Sequence, residues 1–110
     1  MKRGDIVIVY IENDNATGSE WNKSRPAVVV SNNYCNTFSP VIEVVYLTTK
    51  PRKKPLPTHV SISSTPLGCV ATCEAVYSVD KSRIMETVHE CTLKEMLEIN
   101  KALAISLGLI

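Results

Sequence analysis

The chain has 110 residues, of which 45% are hydrophobic and 21% charged, and its formal net charge is +1. One domain spanning residues 1–110 with a single core fits that length and apolar content. A bulk polycation is excluded, so any nucleic-acid site must come from local clustering of charge. No apolar run approaches the length that crosses a bilayer, and the opening Met1-Lys2-Arg3-Gly4-Asp5 does not read as a signal peptide. The expectation is a soluble, cytoplasmic protein with no membrane contact.

Asp5 to Ile11 is nearly all apolar or β-branched, which predicts a first strand buried on both faces. Glu12 to Ser24 is a polar connection, with Gly18 the natural positive-φ residue. Pro26 to Ser31 reads as the second strand. A proline at its first residue loses no ladder donor and would hold Arg25 at the strand mouth. Asn32 to Pro40 is a polar link, and Val41 to Thr48 a third strand that delivers Thr48 and Thr49 to its end. A basic loop, Lys50-Pro51-Arg52-Lys53-Lys54-Pro55, follows, kept extended by its prolines. Leu56 to Ile62 becomes a short alternating strand, Ser63 to Gly68 a turn and Cys69 to Val76 a strand containing Glu74. Asp80 to Arg83 is a turn or a single helical turn, and a short segment runs from Ile84 to Val88.

The last element is the convincing helix. Thr92 and Glu95 have capping-box spacing, and Leu93, Met96, Leu97, Leu103, Ala104 and Leu107 form a stripe expected to face the core. Gly108 stands where the helix would stop. The sum is a mainly β domain: a small, strongly curved barrel with a C-terminal α-helix packed across it.

Arg25 and Thr48 are the pair with chemical promise. Meeting on one barrel rim, a guanidinium and a hydroxyl would make a phosphate-sized site, with positive potential from Lys50, Arg52, Lys53 and Lys54 around it. Each residue has a plainer reading as well: Arg25 as a surface ion-pair partner, the basic loop as a solvated tip. Glu20 and Glu74 are carboxylates suited to base edges or acid–base work, or else surface charges. Trp21 and Tyr77 can stack on bases, and Tyr77 serves equally as a core or interface residue. Cys35, Cys69, Cys73 and Cys91, with His59 and His89, lack metal-ligand spacing. The cysteines read as reduced thiols, several packed as small apolar groups.

Eight pieces in register resemble the MazF/PemK toxin endoribonucleases over essentially the whole chain. They are Arg3-Gly4-Asp5, Gly18-Ser19-Glu20, Arg25-Pro26 with the following Ala-Val-Val-Val run and Asn32, and Phe38-Ser39-Pro40. Leu47-Thr48, Leu56-Pro57-Thr58-His59-Val60, Val79-Asp80-Lys81 and the terminal Ile105 to Ile110 complete them. The resemblance implies an SH3-like barrel of the toxin type, a homodimer, and a groove for single-stranded RNA at the dimer interface. It also implies sequence-specific cleavage that needs no metal or other cofactor. Attack by the 2′-hydroxyl would leave a 2′,3′-cyclic phosphate and a 5′-hydroxyl.

Arg25 and Thr48 match the family's catalytic pair. Glu20, Trp21, Asn32, Lys50, Arg52, Lys53, Lys54, Leu56, Pro57, Thr58, His59, Glu74 and Tyr77 are the expected RNA contacts. The proton acceptor for the 2′-hydroxyl stays open between a water and a carboxylate such as Glu20. Ala75 and Tyr77 stand where the family usually has a glutamine and an arginine, which implies an altered cleavage preference with the chemistry kept. An antitoxin with an acidic, partly disordered tail is the implied partner, and DNA association would be indirect, through that antitoxin. The competing reading is a non-catalytic toxin of the same fold that poisons a gyrase-type target, and such a toxin would not need Arg25 paired with Thr48.

Overall fold

The computed structural model describes residues 1–11, 23–49, 56–66 and 70–110. Its strands are β1 (Asp5–Ile11), β2 (Lys23–Val29), β3 (Val41–Thr48), β4 (His59–Ser61), β5 (Val70–Thr72), β6 (Tyr77–Asp80) and β7 (Ile84–Glu90). A short helix α1 (Asn33–Phe38) precedes β3, a 3₁₀ turn (Lys81–Arg83) joins β6 to β7, and α2 (Leu93–Ser106) ends the order. This is the mainly β fold with a C-terminal helix that the sequence implies. The strands pair antiparallel in the order β4-β5-β3-β2-β1-β7, with β6 also on β3. Among the described residues the outer strands β4 and β7 do not pair with each other, so the barrel is open there. Two register shifts between β1 and β7 bend that side of the sheet.

The central strands are apolar at consecutive positions because both faces are covered. Ile6, Val28, Val45 and Leu47 join Val60, Ala71 and Ile99 in one cluster against α2. Val7, Val9, Ala27, Val29, Val44 and Val79 make the other. Alternation sends each strand's neighbours to opposite clusters, as the run in β1 predicts. Cys73 and Cys91 lie inside the first cluster, where burial pushes both thiols up to about 12.

Several boundaries differ from the sequence expectation. β2 begins at Lys23, so Arg25 and Pro26 lie inside a strand, paired with Val9 and Ile8 of β1. Proline is accommodated because the ladder to β3 starts only at Ala27. The polar link contains α1, capped by the Asn32 side chain, which accepts from the Cys35 N–H at 2.8 Å. The strand expected over Leu56 to Ile62 is confined to β4. The strand expected over Cys69 to Val76 is only β5, after which the chain turns at Cys73 and Glu74. Tyr77 to Asp80, in turn, is a strand, because it finds the free edge of β3.

In α2 the capping box forms as expected, and Gly108 ends the helix with φ +72°. The inward stripe is different. Ile99 and Ala102 are buried with Glu95, and Met96 and Leu103 pack at their edge, whereas Leu93, Leu97 and Leu107 are exposed. Glu95 turns that face inward: its carboxylate accepts from the Thr92 and Ser63 N–H groups at 2.9 and 2.7 Å.

The outer edge of β3 changes partner along its length. Val41 to Val44 pair with β6, while Leu47 and Thr48 pair with β5. Between the two ladders, the Thr72 hydroxyl donates to the Tyr46 carbonyl at 3.0 Å.

Candidate active site

Strand register brings the promising pair together. β2 and β3 pair as Ala27↔Tyr46, Val28↔Val45 and Val29↔Val44, and the same register continued two residues sets Arg25 across from Thr48. Directly opposed residues of an antiparallel pair share a face. Arg25 and Thr48 therefore leave their strands on the side of Ala27, Val44 and Tyr46, at the rim of the second cluster. They line a cleft of about 570 Å³ together with Pro26, Tyr46, Leu47, Thr49, Thr72, Glu74, Ala75 and Tyr77.

Glu74 reaches this cleft from the turn after β5 and is held from behind. The Thr58 hydroxyl donates to its Oε1 at 3.1 Å, and His59 Nε2 lies 3.0 Å from its Oε2. The Leu56 N–H lies 3.4 Å from the other ring nitrogen, His59 Nδ1, which fixes the orientation of the imidazole. Burial pushes the Glu74 pKa up, but its own backbone N–H, His59 and Thr58 outweigh that, and the carboxyl sits below its ordinary value. A carboxylate so held is a fixed hydrogen-bond acceptor and a weak base.

Tyr46 and Tyr77 form an aromatic wall, with ring centroids 5.1 Å apart and planes tilted by 58°. Burial raises the Tyr46 phenol and Tyr77 adds to the rise, while the guanidiniums of Arg25 and Arg83 pull it back. The cleft thus combines a cationic donor, a hydroxyl, a fixed acceptor and aromatic faces. That set can hold a phosphate beside a planar base.

The structure brings together four of the residues singled out from the sequence: Arg25, Thr48, Glu74 and Tyr77. His59 and Thr58 attach to the site through Glu74. Pro57 lines a neighbouring cavity that His59 shares with Lys101 and Ile105 of α2, and Leu56 bonds to the His59 backbone. Asn32 is occupied as the α1 cap and is not among the described residues of the cleft. Glu20, Trp21, Lys50, Arg52, Lys53 and Lys54 lie outside the described residues. Tyr46 and Thr72 belong to the cleft although the sequence reading passed over them. The signal for Tyr46 was available: it sits two residues before Thr48 on one strand and so shares its face.

The chain is similar to known proteins along its whole length. The family model described as "PemK-like, MazF-like toxin of type II toxin-antitoxin system" matches residues 2–107. "Endoribonuclease MazF" of Staphylococcus saprophyticus is 34% identical over 113 aligned residues, covering 99% of this chain and 92% of that protein. "Endoribonuclease EndoA" of Bacillus subtilis is 33% identical over 114, covering 100% and 97%. Among solved structures, a mycobacterial "endoribonuclease in complex with its cognate antitoxin" superposes with a TM-score of 0.80 at 30% identity, covering 100% of this chain and 97% of that one. The MazE–MazF complex of Deinococcus radiodurans, at 23% identity and a TM-score of 0.83 with 100% and 97% coverage, shares the fold. With its register-aligned arginine and threonine and a match from end to end, this chain belongs to the PemK-like, MazF-like toxins of type II toxin–antitoxin systems.

Proposed function

We propose that this protein is a toxin endoribonuclease that cuts single-stranded RNA at a short sequence in the cytoplasm. The observation that carries the reading is Arg25 and Thr48 facing one cleft from opposed strands. In the reaction, the 2′-hydroxyl attacks the adjacent phosphorus, the 5′-oxygen leaves, and the products are a 2′,3′-cyclic phosphate and a 5′-hydroxyl. Arg25 stabilises the charge that gathers on the non-bridging oxygens, and Thr48 donates a hydrogen bond to one of them. A water, or Glu20, takes the proton of the 2′-hydroxyl. Glu74, held ionised, accepts from base amino groups, and Tyr77 offers a stacking face where relatives would place a charged donor. The guanidinium supplies the positive charge at phosphorus, so the reaction needs no metal.

The partner is an antitoxin whose acidic tail occupies the RNA groove, and any link to DNA runs through it. The toxin works as a homodimer, with the exposed apolar residues Leu93, Leu97 and Leu107 of the α2 end available to an interface.

The test is incubation of the purified protein with a long mixed-sequence RNA in EDTA, followed by mapping of the new 5′ ends. Discrete cuts ending in cyclic phosphate are expected. Arg25→Ala is expected to lower the rate by about 100-fold or more, and Thr48→Ala by about 10–100-fold, the range for a lost transition-state donor. An Arg25→Ala protein as active as the wild type would refute the assignment. Absence of cleavage on varied RNAs would turn attention to the non-catalytic reading and a topoisomerase inhibition assay.

A further inference from the structure

Tyr46 and Tyr77 are the walls of two cavities. Beside the cleft that holds Arg25 and Thr48 lies a second cavity of about 410 Å³, lined by Tyr10, Ser78, Asp80 and Arg83 together with the same two tyrosines. We propose that this second cavity is a nucleotide subsite next to the scissile phosphate, with a base stacked on Tyr77 and its phosphate drawn to Arg83. The inference rests on the endoribonuclease reading and deepens it.

Three observations support the subsite. First, the cavities adjoin, because Tyr46 and Tyr77 line both of them. Tyr77 is 49% exposed, so its face is open to a base, while Tyr46 lies partly buried against it and supports the ring. Second, the two guanidiniums bracket that platform. Arg25 lines only the first cavity and Arg83 only the second, while the two tyrosines line both. Charge, ring and charge in sequence match a nucleic-acid strand, in which phosphates flank each stacked base. Third, hydrogen bonds fix the wall of the second cavity. Asp80 Oδ1 accepts from the Ser82 N–H at 2.9 Å, which fixes the turn that carries Arg83. Glu43 accepts from the Ser78 hydroxyl at 2.8 and 3.0 Å.

The test couples a protein change to a substrate change. Once a cut is mapped, oligonucleotides spanning it are shortened one nucleotide at a time from each end, and kcat/KM is measured. For the wild type, removing the nucleotide that fills the subsite is expected to lower kcat/KM about 10-fold, the scale of one base–aromatic stack. Tyr77→Ala should lower the value for the full oligonucleotide to that level and abolish the penalty for removing that nucleotide. Tyr77→Phe should preserve both, and Tyr77→Leu, which keeps bulk without a π face, should behave as alanine does and separates stacking from folding. Arg83→Gln should reduce the slope of log(kcat/KM) against log salt by about 0.7, the value of one single-strand phosphate contact. A Tyr77→Leu enzyme that keeps the full penalty at every flanking position overturns the subsite, and an unchanged salt slope in Arg83→Gln overturns its phosphate contact. No cleavage by the wild type of any RNA would instead remove the endoribonuclease reading.

Discussion

Glu95 shows how one side chain is asked to do several tasks. It closes the capping box of α2 and also accepts from the Ser63 and Ser64 N–H groups at 2.7 and 3.3 Å, tying the chain after β4 to the helix. Burial pushes its pKa up, and these hydrogen bonds carry it below the ordinary value of 4.5. A carboxyl with a depressed folded pKa stabilises the fold fully above its unfolded value and loses that contribution as pH falls through the folded one. Glu95→Gln turns an amide N–H toward backbone donors and is expected to cost about 2 kcal/mol at neutral pH. Urea unfolding at neutral pH and again below pH 4.5 checks this, since the difference between the two proteins should shrink in acid. At this scale the sequence was informative where chemistry dictates residue type. Arg25, Thr48 and Glu74 stand out because charged and hydroxyl groups at strand ends invite explanation. Tyr46 did not, because a tyrosine in the run Val44-Val45-Tyr46-Leu47 looks like core. Its place two residues before Thr48 was the one local clue, and pairing with β2 and the contact with Tyr77 of β6 show that it faces a cleft.

For the elements, α2 gives the sharpest contrast. Its start, its capping box and its stop were readable, since those depend on local hydrogen bonds. Its rotation about its own axis was not. Leucine is the commonest apolar residue on it, yet the fold buries Ile99 and Ala102 and leaves Leu93 78% exposed. Ile99→Ala is expected to cost about 3 kcal/mol, and Leu93→Ala less than about 0.5 kcal/mol; thermal or urea unfolding of the two variants in parallel checks the orientation. The strands tell a related story. β1 and β3 were legible to the residue because their apolar runs are long. β4, β5 and β6 span three or four residues each, too few for periodicity to declare them; the limits of β5 and β6 are set by the outer edge of β3, and those of β4 by β5. α1 escaped because Asn, Cys and Thr are indifferent helix formers, and only its Asn32 cap announces it.

The whole molecule is gathered near Gly4. Its N–H donates to the Val29 carbonyl at 2.8 Å and its carbonyl accepts from the Cys91 N–H at 2.9 Å, so the entry to β1, the end of β2 and the approach to α2 meet at one residue. Its φ is +96°, and a Cβ built there would lie 3.4 Å from the Met96 side chain. Gly4→Ala is expected to cost about 2 kcal/mol through backbone strain, seen as a lower urea midpoint with an unchanged m-value. Sequence patterning conveyed the class of fold, β-rich with one terminal helix, because that follows from composition and period. The open path between β4 and β7 was beyond it, being a matter of how far strands coil when assembled.

The partner change along β3 has a dynamic consequence. An edge held by one long ladder opens from its ends, whereas an edge shared between β6 and β5 can release either strand and keep the other. The bond from the Thr72 hydroxyl to the Tyr46 carbonyl stands at the joint between the two. Thr72→Val keeps the shape and removes that bond. Amide exchange is then expected to quicken over residues 70–72 while residues 77–80 retain their protection, so the wall of the cleft that carries Glu74 would breathe separately from the wall that carries Tyr77.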